Sequence, residues 1–378
     1  MDTDPPQAPR KPFLARAGQS LVDISENQGC WAVLRRFLRG LTFWTILFYV
    51  IGLVIFSLLL SRVGERNVTT AFLSFLPYSI WVLPAVPLAA AAMLFHWRML
   101  LVLALALAWI GYDFMGWRPG GVLEPSGETL RVMSNNHGQH GNQSLQPFKN
   151  ATKPDLLLMQ EGRSAAGYAK DPAYAEFPHT RSLGEHTFLS RYPILEEAKL
   201  PALPGRSPKA VRFVIDWNGR RVAVYSVHLH SPRDQLSYLR WGSFLYGILG
   251  LPGTPWEDRR RELQKFWDIQ MADTEIILKA VREDDLPAIV AGDFNSTPLG
   301  YIHRQITREL GDSHEGAGQG FGLTFPGKTR NPLSAGGPWM RIDYVFFSHH
   351  WQALQCITEP DRPSQHRALT ATLEFKDP

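Results

Sequence analysis

The chain has 378 residues, of which 45% are aliphatic or aromatic and 20% are charged, and its formal net charge is +4. This length allows one large domain and a smaller accessory part. The modest positive charge suits an anionic substrate or a lipid surface, but it lacks the strongly basic balance of a dedicated nucleic-acid-binding protein. Cys30 and Cys356 are the only cysteines, so the sequence predicts no disulfide framework.

The amino-terminal segment, residues 1–40, is predicted to lie in the cytoplasm. Residues 1 to about 20 are rich in proline and polar side chains, so we expect them to be disordered. Between Leu21 and Gly40, Trp31, Leu34 and Phe37 recur at helical spacing, which favours a short interfacial helix.

A membrane region is predicted for residues 41–117, where three apolar stretches follow one another. Residues 41–60 form an uncharged run of the length needed to cross a bilayer. Residues 72–95 are uncharged and contain three prolines, which spanning helices tolerate. Residues 99–115 are shorter and include Asp113. A buried helical core is the alternative, and it is strongest for this third stretch.

Basic residues predict the orientation of these stretches. Arg35, Arg36 and Arg39 precede the first one, which places the amino terminus in the cytoplasm by the positive-inside rule. Three crossings then put the chain after Trp117 on the outer face, periplasmic or extracellular, of a bacterial plasma membrane. If the third stretch does not cross, the carboxyl-terminal part returns to the cytoplasm. A cleaved signal peptide is disfavoured because the first run begins late and is too long.

From residue 127 to 378 the pattern changes to short apolar runs separated by polar, Gly-rich and Pro-rich loops. One long helix is predicted for residues 257–282, where apolar side chains recur at helical spacing. Many strands with few helices predict an α/β fold in which two β-sheets form a sandwich flanked by helices. The predicted strands cover residues 129–134, 155–159, 186–189, 210–217, 221–230, 286–291, 341–347 and 368–375.

Polar side chains gather where these strands end. The run 286–291 is followed by Asp293-Phe-Asn295, which offers a carboxylate to activate water and an amide to contact a charged phosphoryl group. His228 and His230 alternate at the end of the predicted strand 221–230, so both imidazoles are expected on one face. The other such positions are Asn136, Glu161, Asp343 and His366.

This ordered series resembles the endonuclease/exonuclease/phosphatase superfamily, whose members include deoxyribonucleases, abasic-site nucleases, neutral sphingomyelinases and inositol-polyphosphate phosphatases. The resemblance covers residues 129 to 375, and the membrane region lies outside it. The matching segments are Arg131-Val-Met-Ser-Asn-Asn136, Leu158-Met-Gln-Glu161, Ser190-Arg-Tyr-Pro-Ile194, Val227-His-Leu, Ala291-Gly-Asp-Phe-Asn295-Ser-Thr-Pro298, Arg341-Ile-Asp-Tyr-Val-Phe-Phe-Ser348 and Ser364-Gln-His366.

The resemblance implies a metal-dependent hydrolase that acts on phosphate esters, with Mg2+ or Mn2+ as cofactor. Glu161 would be the principal metal ligand, since Mg2+ binds one or two carboxylates together with water and substrate phosphate. Asn136 would assist at the metal and the phosphate. Asp293 would contribute to the metal site and orient or activate the attacking water.

The remaining residues would contact the phosphate and move protons. Asn295 would hydrogen-bond the phosphoryl oxygens, and His366, held by Asp343, would contact the phosphate or transfer a proton. His228 is the better match for the mid-chain histidine that stabilises the transition state or protonates the leaving group. His230 is its alternative and a candidate substrate-binding residue.

One position departs from the family pattern. Gln365 stands where an aspartate usually precedes the final histidine, and an amide binds Mg2+ more weakly and cannot act as a base. The alternative to an enzyme is therefore a membrane-tethered binding protein that kept the fold and lost the chemistry.

The segment between His228 and Asp293 is long and contains an apolar, aromatic stretch from Leu236 to Trp256. One interpretation is that this stretch packs on the domain's own core. The other is that it inserts into a bilayer, because aromatic residues beside basic ones are typical of the membrane interface. The expected partners are thus the lipid bilayer, through the amino-terminal helices, and a phosphate-ester substrate, either nucleic acid or phospholipid. No protein partner is inferred.

Overall fold

The computed structural model describes residues 29–121, 123–138, 144–327, 337–360, 362 and 364–376. The predicted disorder of residues 1 to about 20 and the first part of the predicted helix 21–40 lie outside these ranges. Two compact units are present. Among the described residues, one comprises 29–54 and 81–109, and the other comprises 55–80 and the chain from residue 110 onward.

The secondary structure begins with apolar helices and continues as alternating strands and helices. The helices are α1 (Cys30–Arg62), α2 (Val68–Ser74), α3 (Ala85–Phe95), α4 (Met99–Trp109), α5 (Gln146–Thr152), α6 (Ala165–Ala169), α7 (Arg233–Ser237), α8 (Tyr246–Leu249), α9 (Glu257–Arg282), α10 (Tyr301–Thr307) and α11 (Ser313–Ala317). The strands are β1 (Arg118–Pro119), β2 (Thr129–Asn136), β3 (Leu156–Gln160), β4 (His179–Leu183), β5 (His186–Ser190), β6 (Ile194–Lys199), β7 (Ala210–Trp217), β8 (Arg220–His228), β9 (Ala288–Asp293), β10 (Gly311–Asp312), β11 (Gln319–Gly320), β12 (Asp343–Phe347), β13 (Trp351–Thr358) and β14 (Leu369–Phe375).

The first unit is a small helical cluster. Ile46 of α1 packs with Ala85 and Ala92 of α3 and with Met99 and Leu103 of α4. Two segments, Cys30–Arg62 and Tyr78–Phe95, are long and apolar enough to cross a membrane, whereas the apolar stretch Met99–Phe114 is shorter. Because α1 runs through Gly40 without a break, the predicted interfacial helix and the first predicted span form one helix where they are described.

The predicted span 72–95 is divided in the structure. Phe72 and Phe75 are buried in the second unit, where their rings lie 6.5 and 5.7 Å from the ring of Trp267 on α9. The first part of this uncharged run is therefore apolar because it packs against protein. The segment that could cross a membrane begins at Tyr78.

Two six-stranded sheets form a sandwich in the second unit, which confirms the predicted fold class. One sheet has the order β13-β14-β2-β3-β5-β4 and the other has the order β10-β12-β9-β8-β7-β6. Neighbouring strands are antiparallel except for β2 with β3 and β8 with β9, which are parallel. A parallel pair places two strand carboxyl ends at the same edge, and each sheet contributes one such pair.

Three hydrophobic layers stabilise the sandwich. The central layer fills the space between the sheets and includes Phe188 of β5 stacked on Phe213 of β7, with ring centroids 4.8 Å apart. A second layer lies between the β8–β9 sheet and helices α9 and α10. The third covers the outer face of the β2–β3 sheet and includes Phe148 of α5 and Tyr168 of α6.

All eight predicted strands are present, and the helix predicted for residues 257–282 is α9. Six further strands were not predicted. Three of them, β1, β10 and β11, have only two residues each. The three longer ones, β4, β6 and β13, are each an edge strand of a six-stranded sheet. Edge strands face solvent along one side and need no continuous apolar run. In β6, for example, only Ile194 is partly buried and the other residues are exposed.

Candidate active site at the strand ends

The carboxyl ends of the two parallel strand pairs carry the polar residues singled out by the sequence. Asn136 ends β2, and Glu161 directly follows β3. His228 ends β8 and pairs in register with Asp293, which ends β9. Asp343 begins the antiparallel neighbour β12 and also pairs with Asp293. The sheet topology therefore brings residues from five distant parts of the chain to one end of the sandwich.

Asn136, Glu161, His228 and Asp293 open onto one cavity of about 250 Å3, and Asp343 is not part of its lining. It contains most of the predicted catalytic and metal-binding residues together with residues from the start of the β8–α9 connection. The lining residues are Asn136, Glu161, His228, Ser231, Arg233, Asp234, Asp293, Asn295, Phe325, Gln365 and His366.

Asp293 is fixed at the centre of the site. Its carboxylate accepts hydrogen bonds from Nδ2 of Asn136 and from the backbone N–H of Asn295, both at 2.9 Å. The preceding Gly292 has φ +148°, and a Cβ atom there would lie 1.9 Å from the carbonyl oxygen of Val227. Only glycine fits between the strands at this point. Burial, followed by the nearby Asp343 carboxylate, raises the pKa of Asp293.

Asn295 supports the same turn. It adopts φ +46°, a left-handed conformation that asparagine tolerates better than most residues. Its Nδ2 donates to the carbonyl oxygen of Leu229 at 2.9 Å. The Asn295 side chain, which was predicted to contact phosphate, therefore also connects the end of β9 to the end of β8 by a hydrogen bond.

His366 lies between two carboxylates. Its Nδ1 is 3.0 Å from Oδ2 of Asp343, and its Nε2 is 3.7 Å from Oδ2 of Asp293. Burial alone would lower the pKa of His366, but the two carboxylates outweigh it and raise the pKa to about 9. The raised pKa favours the protonated imidazole, and the contact with Asp343 fixes the orientation of its ring.

His228 has a carboxylate partner that sequence reasoning missed. Its Nδ1 lies 3.2 Å from Oε1 of Glu185, which sits in the turn between β4 and β5. On the other side of the ring, Nε2 lies 3.6 Å from Oε1 of Glu161 and 3.9 Å from Oδ2 of Asp293. Burial lowers the pKa of His228, but Glu185, Asp293 and Glu161 together reverse that effect and raise it.

The oxygen donors of the cavity suit a divalent cation. Glu161 and Asp293 present two carboxylates to the same space, and hard oxygen ligands of this kind are what Mg2+ prefers. Asn136 is less free to bind metal, because its Oδ1 accepts a hydrogen bond from the N–H of Gly138 at 2.9 Å. The structure places Asn136 chiefly as the residue that positions Asp293.

Of the two remaining sequence features, His230 lies outside the cavity and Gln365 lies inside it. His230 lies beyond the end of β8, so the expected alternation with His228 does not reach it, and it is not part of the cavity lining. Gln365 does line the cavity, and its Oε1 lies close to Gly138. The departure from the family pattern is therefore inside the site.

A second group of acidic and histidine side chains, His303, Asp312 and Glu315, lies away from this cavity. Arg341 is buried there, with Nη1 2.6 Å from Oδ2 of Asp312. This guanidinium holds the pKa of Asp312 well below its usual range, together with His303 and against the effect of burial. In the described residues the group is an ion-pair network in which His303, Asp312 and Arg341 are buried and Glu315 is exposed, and Arg341 supplies its positive charge.

Comparison with known proteins identifies one matching family. The family model described as Endonuclease/Exonuclease/phosphatase family matches residues 139–366, which include every predicted site residue except Asn136. No curated protein matches the sequence.

Similar solved structures include an endonuclease/exonuclease/phosphatase family protein from Bacteroides thetaiotaomicron, with 16% identity, a TM-score of 0.47 and coverage of 68% of this chain and 100% of that one. The protein of the same description from Bacteroides vulgatus has 16% identity, a TM-score of 0.46 and coverage of 66% and 100%. Truncated TDP2 from Caenorhabditis elegans has 17% identity, a TM-score of 0.45 and coverage of 66% and 98%.

The matched region covers more than half of the chain and includes the cavity with its histidine and carboxylate side chains. Members of the matched family generally hydrolyse phosphate esters and use a divalent metal. The chain therefore belongs to the endonuclease/exonuclease/phosphatase family.

Proposed function

We propose that the protein is a membrane-anchored, Mg2+-dependent phosphoesterase whose active site is the cavity at the strand ends. The observation that carries this proposal is the position of Asp293. It is a buried carboxylate with a raised pKa, placed 3.7 Å from one imidazole and 3.9 Å from a second, in a cavity that also contains Glu161. Water activation, charge stabilisation and proton donation each have a suitable group there.

Each side chain has a distinct task in the proposed reaction. Asp293 accepts the proton of the attacking water, whose oxygen bonds to phosphorus as the ester P–O bond breaks. His366, whose raised pKa favours the protonated form, stabilises the negative charge on the phosphoryl oxygens, and Asp343 holds its ring. His228, whose raised pKa favours the protonated form, donates a proton to the leaving oxygen.

Glu161 and Asp293 would hold the Mg2+ ion, with Asn136 keeping Asp293 in place. When bound, the ion would neutralise charge on the substrate phosphate and polarise the bond to phosphorus. The proposal requires no ligand from Gln365.

The membrane anchor is supported by the apolar character of Cys30–Arg62 and Tyr78–Phe95. The segment between them packs on the catalytic unit. Glu65 accepts a hydrogen bond from the N–H of Tyr301 at 2.6 Å, and Tyr78 donates to Oγ1 of Thr297 at 3.2 Å. The end of α1 and the catalytic site therefore lie on the same side of any bilayer.

This contact restricts the number of crossings. The chain leaves the catalytic unit after Ile80 and rejoins it at Ile110, so the intervening segments cross an even number of times. Both Tyr78–Phe95 and Met99–Phe114 cross, or neither does. With α1 crossing and its basic end in the cytoplasm, the proposed location of the catalytic unit is the outer face of the membrane.

The proposal is tested with the full-length protein in nanodiscs and bis(p-nitrophenyl) phosphate as a soluble substrate. We expect Mg2+-dependent hydrolysis that Glu161→Gln reduces by a factor on the order of 100 or more. Glu262→Gln, a substitution of an exposed glutamate on α9, is the matched control and should leave the rate unchanged. Equal rates in the two variants would contradict the assignment.

The location has its own test. A reporter that is active only outside the cytoplasm, fused after residue 376, should be active, and the same reporter placed in the turn 96–98 should be inactive. The reverse pattern would contradict the proposed orientation.

Gln365 favours a second candidate, a binding protein without catalytic activity, because it lines the cavity in place of the usual acid. Binding of a phosphodiester to the cavity without turnover, at any Mg2+ concentration, would support that alternative.

A further inference from the structure

The connection between β8 and α9, residues 231–256 and here called the arm, exposes an unusual amount of apolar surface. Nine large apolar side chains are exposed among the described residues from 124 onward, and seven of them belong to the arm. Trp241 is 70% exposed and Leu251 is 61% exposed. The two outside the arm are Leu195 and Phe321. A concentration of exposed large apolar side chains in one short segment is typical of an interaction site.

The arm is held firmly from its other side. Nδ2 of Asn67 donates to the carbonyl oxygen of Gly247 at 3.0 Å, and Oγ1 of Thr69 donates to the carbonyl oxygen of Phe244. A Cβ atom at Gly247 would lie 2.5 Å from the backbone nitrogen of Thr69, so the two segments are in direct backbone contact. The exposed side chains are therefore those that remain after the arm has packed on its own domain.

These contacts tie the arm to the end of α1. Asn67 follows Arg62, the last residue of α1, by five positions, and five residues span at most about 18 Å. If α1 crosses a bilayer, the arm is anchored within this distance of the point where α1 leaves it. The polar and interfacial zone of a bilayer adds roughly 5–8 Å on each side of the hydrocarbon core.

The composition of the arm matches a lipid interface better than a nucleic acid. Its 26 residues contain three charged side chains, Arg233, Asp234 and Arg240, for a net charge of +1. Contacts to a nucleic-acid backbone need several cations. Arg240 lies over the ring of Trp241, with Cζ 5.2 Å from its centroid. Tryptophan is enriched at both membrane interfaces, and the long stem of an arginine lets its charged end reach the head groups.

The root of the arm also forms part of the active site, because Ser231, Arg233 and Asp234 line the cavity. We infer that the arm inserts its exposed apolar face into the outer surface of the bilayer and that the substrate is a phosphodiester head group of a lipid in that bilayer. The inference rests on the proposed function. The reaction needs only water: its oxygen bonds to phosphorus, the P–O bond to the leaving group breaks, and the leaving oxygen takes a proton.

Insertion of the arm into the bilayer is tested by fluorescence, which does not depend on enzymatic activity. In a Cys30→Ser background, where the remaining Cys356 is buried, single cysteines at positions 241, 248 and 251 are labelled with the fluorophore NBD. The full-length protein is reconstituted in nanodiscs of phosphatidylethanolamine and phosphatidylglycerol. We expect blue-shifted emission and quenching by spin-labelled lipid. Lys170→Cys, beside α6 on the opposite face of the sandwich, should show neither.

The substrate class is tested by comparing rates on two substrates. Wild-type protein in vesicles of the same lipids, and in vesicles of phosphatidylcholine with sphingomyelin, should release head groups and also hydrolyse bis(p-nitrophenyl) phosphate. In the triple variant Trp241→Ser, Ile248→Ser, Leu251→Ser, the ratio of lipid to soluble turnover should fall at least tenfold. Leu195→Ser, a single apolar-to-serine change at an exposed leucine outside the arm, should leave that ratio unchanged.

Several results would overturn the inference. Labels on the arm that behave like the label at position 170 would refute insertion. Hydrolysis of the soluble diester without release of any lipid head group, or cleavage of DNA at a rate that the triple variant does not alter, would refute the lipid substrate. Self-association of the protein that the triple variant abolishes, with no lipid quenching, would assign the arm to a second copy of the chain. If the wild-type protein hydrolyses none of these substrates, the proposed function is refuted. The fluorescence measurement would then still show whether the arm inserts into the bilayer.

Discussion

Glu65 gives the sharpest prediction about how the membrane-proximal segment supports the catalytic unit. It lies just after α1, is fully buried, and its Oε2 accepts hydrogen bonds from the N–H groups of Tyr301 and Ile302, at 2.6 and 3.2 Å. These are the first residues of α10, which begins shortly after the Asp293–Pro298 motif. Glu65 therefore caps a helix that is far away in sequence and close to the active site.

The effect of Glu65→Ala can be worked out from these contacts. The substitution leaves two backbone donors without an acceptor, and each buried unsatisfied donor costs about 1–3 kcal/mol. Part of this cost is relieved by local water, so we expect a loss of about 2–4 kcal/mol, which for a unit of this size lowers the Tm by roughly 5–15 °C.

Glu65→Gln is the matched control. The amide keeps an oxygen in the place of Oε2, and burial already raises the pKa of Glu65 because the charged form is poorly solvated. A neutral isostere should therefore stay within about 1 kcal/mol of the wild type. Thermal unfolding of the three full-length proteins, at one scan rate and in one detergent, measures the difference. A Tm for Glu65→Ala equal to that of the wild type, or equal losses for Ala and Gln, would refute the capping role.

The other predictions concern the active site. Asp343→Asn removes the charge that orients His366 and raises its pKa, so kcat should fall by a factor on the order of 100 with little change in KM; an unchanged kcat would contradict this. Glu185→Gln should lower the pKa of His228 and thereby shift the pH profile of kcat, whereas a purely structural role would leave that profile in place. Gln365→Asp should increase the affinity for Mg2+ about tenfold or more in a calorimetric titration, because a carboxylate replaces an amide in the cavity; no change would show that position 365 does not approach the metal.

The sequence predicted those parts of the site that follow strong local signals. Asp293 and Asn295 lie at the end of a buried apolar strand, and Asn136 and Glu161 lie at the ends of the two strands of a parallel pair. Their convergence then follows from the sheet topology. A single ordered series of strand ends was enough to identify both the fold and most of the cavity.

The residues that were missed have no local signal. Glu185 lies in a short turn between two strands, 43 positions before His228, and no spacing rule connects the two. Glu65 lies in the segment between the apolar helices, where a lone carboxylate beside two arginines is typical of an exposed loop. Both act through tertiary contacts that only the folded chain creates.

Two expectations failed for identifiable physical reasons. The apolar character of Phe72 and Phe75 was attributed to a membrane span, but these rings pack around Trp267. Hydropathy alone does not distinguish lipid from a protein interior. His230 was placed on the strand face of His228, but β8 ends at His228, and alternation has no meaning beyond a strand end.

The central claim is that Asp293 serves a Mg2+-dependent hydrolysis in this cavity. The most direct measurement is the rate of bis(p-nitrophenyl) phosphate hydrolysis by full-length wild-type protein, by Asp293→Asn and by Asp285→Asn, an identical change at an exposed position. We predict hydrolysis that EDTA stops and Mg2+ restores in the wild type and in Asp285→Asn, and a loss by a factor on the order of 1,000 in Asp293→Asn. Turnover in Asp293→Asn equal to that of the wild type, or wild-type turnover that EDTA leaves unchanged, would contradict the claim.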